Sequence, residues 1–132
     1  MPNFRDALFA RHPCGRLVGH CLQSILRWVR GLLSDPDEEV YVSSVSVGEM
    51  VIKQQIGKLT LPRSPLEVVA ALEMNELTLT NQHSQAVAEL PLHHRDPFDR
   101  WLIAQARVEG LTLITADPAM RFYEVEVLDP SR

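Results

Sequence analysis

The sequence has few of the features that identify membrane proteins, secreted proteins and disulfide-bonded proteins. No apolar run reaches the ~18 residues of a membrane span, and Arg5, Arg11 and Arg16 come without the apolar segment of a secretory signal. The two cysteines, Cys14 and Cys21, are seven apart and lack a zinc-ligand pattern. We expect them to be free thiols rather than a disulfide, in a cytoplasmic protein without a membrane segment.

Positive charge is also in short supply. The net charge of −4 argues against a general, basic nucleic-acid-binding protein. The charge is uneven, because residues 1–33 hold five Arg and one Asp. This basic segment either contacts RNA or is the solvated face of a helix. There is no internal repeat and no low-complexity segment, and the length predicts a single domain over residues 1–132.

Strand and helix patterns alternate along most of the chain. An apolar stripe predicts a helix over 16–33, and β-rich runs predict strands over 40–43, 77–80, 111–115 and 125–128. Further helices are predicted over 46–57, from 65 onward, over 81–90 and over 97–109. This βαβα order predicts an α/β fold with a parallel sheet.

The most informative stretch is a helix–strand unit over residues 93–117. Asp96 is a possible N-cap, Pro97 fits the first helical position, and Gly110 fits the end of the helix. Asp99 lies in the first turn, and Asp117 follows the next strand, at the edge where open α/β sheets place their sites. One helix–strand unit can therefore bring these two carboxylates together.

Three short motifs carry a resemblance to a known family. They are DPFDR at 96–100, LIAQA at 102–106 and LITAD at 113–117, and SSVSVGEM at 43–50 adds a fourth. At this spacing the chain resembles PIN-domain proteins, and most of all the VapC-type toxins of toxin–antitoxin pairs. The resemblance is clearest over 35–128. It implies a three-layer α/β fold with a central, mostly parallel sheet.

The resemblance also implies an activity. It predicts a Mg²⁺- or Mn²⁺-dependent endoribonuclease, the toxin of a type II toxin–antitoxin system, with RNA as substrate, a cognate antitoxin as partner and a homodimer as the assembly. Carboxylate oxygens are the ligands such ions select, and a cation offsets the repulsion of gathered carboxylates. The implied acidic quartet is Asp6, Glu49, Asp99 and Asp117, with Thr115 and Asp96 in supporting roles.

Some of these residues have a second interpretation. Ser46 and Glu49 fit a capping box, so that Glu49 either caps a helix or serves the site. Asp96 either supports the cluster or is only the N-cap, and Arg100 either meets phosphate or is an exposed helix residue. His83, His93 and His94 form no metal-binding pair and are expected in solvent or in loops.

The N-terminus departs from the family pattern. PIN domains open with a buried strand that ends in aspartate, whereas Asp6 is preceded here by Pro2, Asn3 and Arg5. The first strand is thus either present in divergent form, or missing or altered. Two functions follow: an active ribonuclease, or a catalytically impaired module of the same fold that still binds an antitoxin or itself. A plain α/β domain with acidic caps is a third reading.

Overall fold

The computed structural model describes residues 6–9, 39–58, 60–61, 63–71, 73–92, 97–114 and 123–128. Within them the strands are β1 (Asp6–Phe9), β2 (Glu39–Ser43), β3 (Asn75–Leu77), β4 (Thr112–Ile114) and β5 (Val127–Leu128). The α-helices are α1 (Ser44–Gln55), α2 (Pro65–Ala71), α3 (Asn81–Ala86) and α4 (Pro97–Glu109), and a 3-10 helix follows α3 over Val87–Glu89. Some predicted features lie outside the described residues: the helix over 16–33, His93, His94, Asp96, Thr115 and Asp117.

The strands form one sheet in the order β3-β2-β1-β4-β5, and every neighbouring pair is parallel. The predicted α/β class with a parallel sheet is confirmed. β1 is the central strand, where Ala7 lies opposite Val40 on one side and Thr112 on the other. A first strand is therefore present, in spite of its unusual flanking residues.

β4 shows that both faces of the sheet are covered. Thr112, Leu113 and Ile114 are 5%, 0% and 0% exposed, although successive side chains of a strand point to opposite faces. Parallel sheets need cover on both faces, since their strands carry apolar residues on each. The predicted buried strand is confirmed over Thr112–Ile114, and it begins one residue later than predicted.

α4 is the helix around which the described helices assemble. It contacts α1, α3 and β4, and it buries Leu102, Ile103 and Ala106 in a core shared with Leu113 and Leu90. Its start at Pro97 and its end before Gly110 agree with the sequence signals. None of the helices in the described part of the chain, α4 included, is long and apolar enough to span a membrane.

Several predicted boundaries are wrong by a few residues, among them the following three. α1 begins at Ser44 rather than Ser46, because Ser43 is its N-cap. β3 ends at Leu77, where the predicted strand began. The N-cap of α3 is Thr80 rather than Asn81, since the Thr80 hydroxyl accepts a hydrogen bond of 3.2 Å from the backbone N–H of His83.

Gly110 is where the chain leaves α4, with φ at +67°. We expect Gly110→Ala to lower the free energy of unfolding by about 1 kcal/mol, because a side chain is strained in this region of φ. A Cβ would meet nothing within 4 Å at Gly110 or at Gly48, inside α1, so steric clashes play no part at either site. Gly48→Ala is the control and should raise stability by about 0.5–1 kcal/mol. Urea denaturation of both variants measures the difference, and an equal effect at both sites would contradict the strain argument.

Candidate active site

Glu49 lies on the inner face of α1 rather than at its N-terminus. The Ser43 hydroxyl accepts a 3.0 Å hydrogen bond from the backbone N–H of Val45 and caps the helix. Glu49 comes in the second turn, on the buried face with Val45 and Ser46, and is only 6% exposed. The capping-box interpretation is therefore wrong. Glutamate is almost never buried without a specific reason, so this position calls for one.

Asp99 is the second buried carboxylate. It lies in the first turn of α4, is 0% exposed, and benefits from the positive end of the helix dipole. α4 packs directly against α1. Two buried acidic side chains are thus carried by two helices in contact, as expected when carboxylates are gathered for a cation.

The strand order defines where such a site belongs in the sheet. The chain runs outward from β1 to β2 and β3, and then returns to the other side of β1 for β4 and β5. Open α/β sheets bind ligands at this reversal, beyond the carboxyl ends of the strands. α1 starts directly at the carboxyl end of β2. In the sequence, Thr115 immediately follows β4 and Asp117 comes two residues later.

The backbone places Asp6 at the other edge of the sheet. It is the first residue of β1 and lies opposite Glu39, whereas Phe9, at the carboxyl end, lies opposite Val42. Three residues of strand correspond to about 10 Å. The strand register therefore does not bring Asp6 to the edge at which α1 begins, and its assignment as a ligand stays a prediction.

The donor chemistry of Glu49 and Asp99 fits a hard divalent cation, which prefers carboxylate oxygens. Among the described residues, no group of three or more His, Cys, Asp or Glu side chains is placed to hold a metal ion. The other predicted members of the quartet, Asp117 and the side chain of Asp6, lie outside that part of the structure. The two buried carboxylates are thus a partial donor set.

Arg100 has a structural contact that the sequence did not suggest. Its guanidinium donates hydrogen bonds of 3.0 Å to the carbonyl of Pro91 and 3.2 Å to that of Val87, with a longer one of 3.4 Å to Leu90. These carbonyls belong to the 3-10 helix and the turn after it. Arg100 therefore ties the start of α4 to the segment before it, which neither predicted interpretation had described.

His83 is buried, and its expected position in solvent is wrong. It is 1% exposed, its Nδ1 accepts a 3.0 Å hydrogen bond from the backbone N–H of Thr80, and its Nε2 lies 3.0 Å from Glu109 Oε1. Because Nδ1 is an acceptor, the proton of the neutral ring belongs on Nε2, which donates to the glutamate. His83 thus joins α3 to the end of α4.

A buried polar contact links the two helices of the site. The Ser43 hydroxyl donates a 2.6 Å hydrogen bond to Gln105 Oε1, and both residues are 0% exposed. Both residues lie in the motifs described above, but neither was predicted to be a site residue. A signal was available, since Gln105 interrupts an apolar helix segment and a buried amide needs a partner.

Comparison with protein families matches most of the chain to a known domain. The model of the PIN domain matches residues 23–128, most of the chain and all of the motifs around Glu49, Asp99 and Asp117. No curated protein sequence matches the chain.

Solved structures share the fold at low sequence identity. The chain is similar to a chain of the VapBC2 complex from Rickettsia felis, bound to a promoter DNA fragment, with a TM-score of 0.66, 11% identity and coverage of 94% of this chain and 98% of that one. It is also similar to a chain of VapBC-1 from nontypeable Haemophilus influenzae, with a TM-score of 0.62, 14% identity and coverage of 96% of this chain and 99% of that one. A third similar structure is FitAcB from Neisseria gonorrhoeae, with a TM-score of 0.57, 18% identity and coverage of 96% of this chain and 99% of that one.

Proposed function

Because the chain belongs to the PIN-domain family, whose members are generally nucleases, we propose that it is a metal-dependent endoribonuclease. It would hydrolyse RNA phosphodiester bonds as the toxin of a type II toxin–antitoxin system. The observation that carries the proposal is the burial of Glu49 and Asp99 on the contacting helices α1 and α4. Capping of a helix does not account for the burial of these two carboxylates, whereas a cation bound by both accounts for it.

Glu49, Asp99 and Asp117 would hold Mg²⁺ or Mn²⁺, with Asp6 as the predicted fourth ligand. When bound, the ion supplies charge neutralisation at the phosphate and activation of a water for in-line attack at phosphorus. Burial on α1 and α4 fixes the side chains of Glu49 and Asp99, so that their orientation need not be organised when RNA binds. Thr115 would orient the cluster, and Asp96 would support it or cap α4.

An antitoxin is the proposed protein partner. The similar structures are of VapBC and FitAB-type complexes, which supports a partner of this kind. Ile52 on α1 and Ile56, the C-cap residue of this helix, are 46% and 58% exposed, and Leu66 on α2 is 67% exposed. Large apolar side chains exposed on adjacent helices are a typical protein-binding surface. We expect the antitoxin to cover this surface, and a homodimer stays the predicted assembly.

The second candidate function is a binding module of the same fold that does not cut RNA. The specific observation in its favour is the position of Asp6 at the start of β1, away from the edge at which α1 begins. Such a module would keep the apolar surface of α1 and α2 but lack a complete set of metal ligands.

Metal removal separates the two functions. We expect purified protein to cleave RNA with Mg²⁺ or Mn²⁺, to stop completely in EDTA, and to recover when excess Mg²⁺ is restored. A thermal melt should show Tm rising with Mg²⁺ concentration, because an ion that binds only the folded state stabilises it. If folded protein neither cuts RNA nor responds to the ion, the binding module is the better description.

A further inference from the structure

We propose that Gln105 is a positioning residue, which holds Glu49 and Asp99 at their working separation through its hydrogen bond to Ser43. This inference rests on the proposed function. Its basis is the 2.6 Å contact between the Ser43 hydroxyl and Gln105 Oε1, with both side chains 0% exposed. In a dry environment such a contact is strong, and the loss of one partner leaves the other unsatisfied.

Ser43 occupies the junction at which β2 becomes α1. Its hydroxyl oxygen accepts a 3.0 Å hydrogen bond from the backbone N–H of Val45, and the same hydroxyl donates a hydrogen bond to Gln105 Oε1. The same hydroxyl therefore fixes the first turn of α1 and ties it to α4. Gln105 thus determines the position of the first turn of α1 relative to α4.

The other end of the Gln105 amide is also held in place. Its Nε2 lies 3.5 Å from His83 Nδ1, a long contact, and His83 is itself fixed by Thr80 and Glu109. This arrangement leaves the amide oxygen facing Ser43. The side chain of Gln105 is consequently oriented from both sides, as expected for a residue that positions others.

The two carboxylates are equally far from this hydrogen bond along their helices. Glu49 follows Ser43 by six residues, and Asp99 precedes Gln105 by six residues. At 1.5 Å per residue, each is about 9 Å along the helix from the contact. A change at the Ser43–Gln105 contact therefore reaches both carboxylates through rigid helix, without altering either of them chemically.

The test is a double-mutant cycle with Gln105→Met, which keeps the side-chain length, Ser43→Ala, and both together. Because Ser43→Ala also removes a helix cap, Ser64→Ala is the matched control: the Ser64 hydroxyl accepts the backbone N–H of Glu67 at 3.2 Å at the start of α2. The readouts are the Kd for Mn²⁺ by calorimetry, and kcat and KM for RNA cleavage. Calorimetry makes the test independent of activity.

We expect each single variant to weaken Mn²⁺ binding about 10-fold and to lower kcat about 10- to 100-fold, with KM for RNA nearly unchanged. The double variant should be no worse than the more impaired single variant, because both changes remove one interaction. Ser64→Ala should leave Kd and kcat as in the wild type. A purely structural role would lower stability in all of the variants without this pattern.

An active wild type with unchanged Kd and kcat in Gln105→Met overturns the positioning role and leaves the proposed function standing. A wild type that neither binds Mn²⁺ nor cuts RNA overturns the proposed function. Crystal structures of the wild type and Gln105→Met then decide the positioning role: a changed separation of the Glu49 and Asp99 Cα atoms supports it, and an unchanged one overturns it. If Gln105→Met does not fold, Ser43→Ala against Ser64→Ala gives the same decision.

Discussion

Asp99→Asn should lower kcat/KM for RNA cleavage by at least about 100-fold, and Glu49→Gln should have a similar effect. Each change removes the negative charge from a buried oxygen pair while keeping its size. A neutral amide is a poor ligand for Mg²⁺, so the Kd for the ion should rise in parallel. Stability should not suffer in proportion, since burying an amide costs less than burying a carboxylate. Cleavage of a fluorogenic RNA and circular dichroism melts measure both properties.

The matched control is Glu76→Gln. Glu76 lies on the edge strand β3 and is exposed, so this variant makes the same change in net charge outside the site. We expect its activity to stay within about twofold of the wild type, because exposed charges are strongly screened by salt. Cleavage by Asp99→Asn at the wild-type rate would show that the site has been assigned to the wrong carboxylate.

Leu113→Ala should lower the free energy of unfolding by about 2–5 kcal/mol, the usual cost of a cavity at a fully buried leucine. Leu113 is 0% exposed in β4 and lies opposite Leu8 on one side and Val127 on the other. A loss of this size is a large part of the stability of a typical domain. Guanidinium denaturation followed by fluorescence provides the measurement.

Leu92→Ala removes the same atoms from a side chain that is 83% exposed. We expect it to change stability by less than about 0.5 kcal/mol, as surface substitutions do. Similar losses in the two variants would mean that β4 is not the packed interior strand described above.

Local signals predicted the elements that depend on local chemistry. Pro97 and Gly110 give the bounds of α4, since each suits one end of a helix and few other positions. The apolar run after Gly110 identified the buried strand β4. β1 was harder, because pairing on both sides creates a central strand from residues whose own preferences are weak.

The site was only partly accessible from sequence, for a physical reason. The pattern of Ser46 and Glu49 suggests a cap, but Ser43 caps α1 instead, and Glu49 lies on the buried face of the helix. His83 and Gln105 acquire their roles from residues more than 20 positions away. Such contacts form only when the helices pack together, so the periodicity of the sequence does not predict which residues will be partners.

The sheet order also has a consequence for the time at which the sheet is completed during synthesis. Ala7 and Thr112 are neighbours in the sheet although 105 positions separate them along the chain. The central strand β1 therefore has one side unpaired until Thr112 has been translated, 105 residues after Ala7. Contacts of such long range make folding slow. The carboxyl edge of the sheet, where α1 begins, is incomplete until β4 has paired with β1. A site at this edge of the sheet therefore forms only after β4 has been translated and has paired with β1.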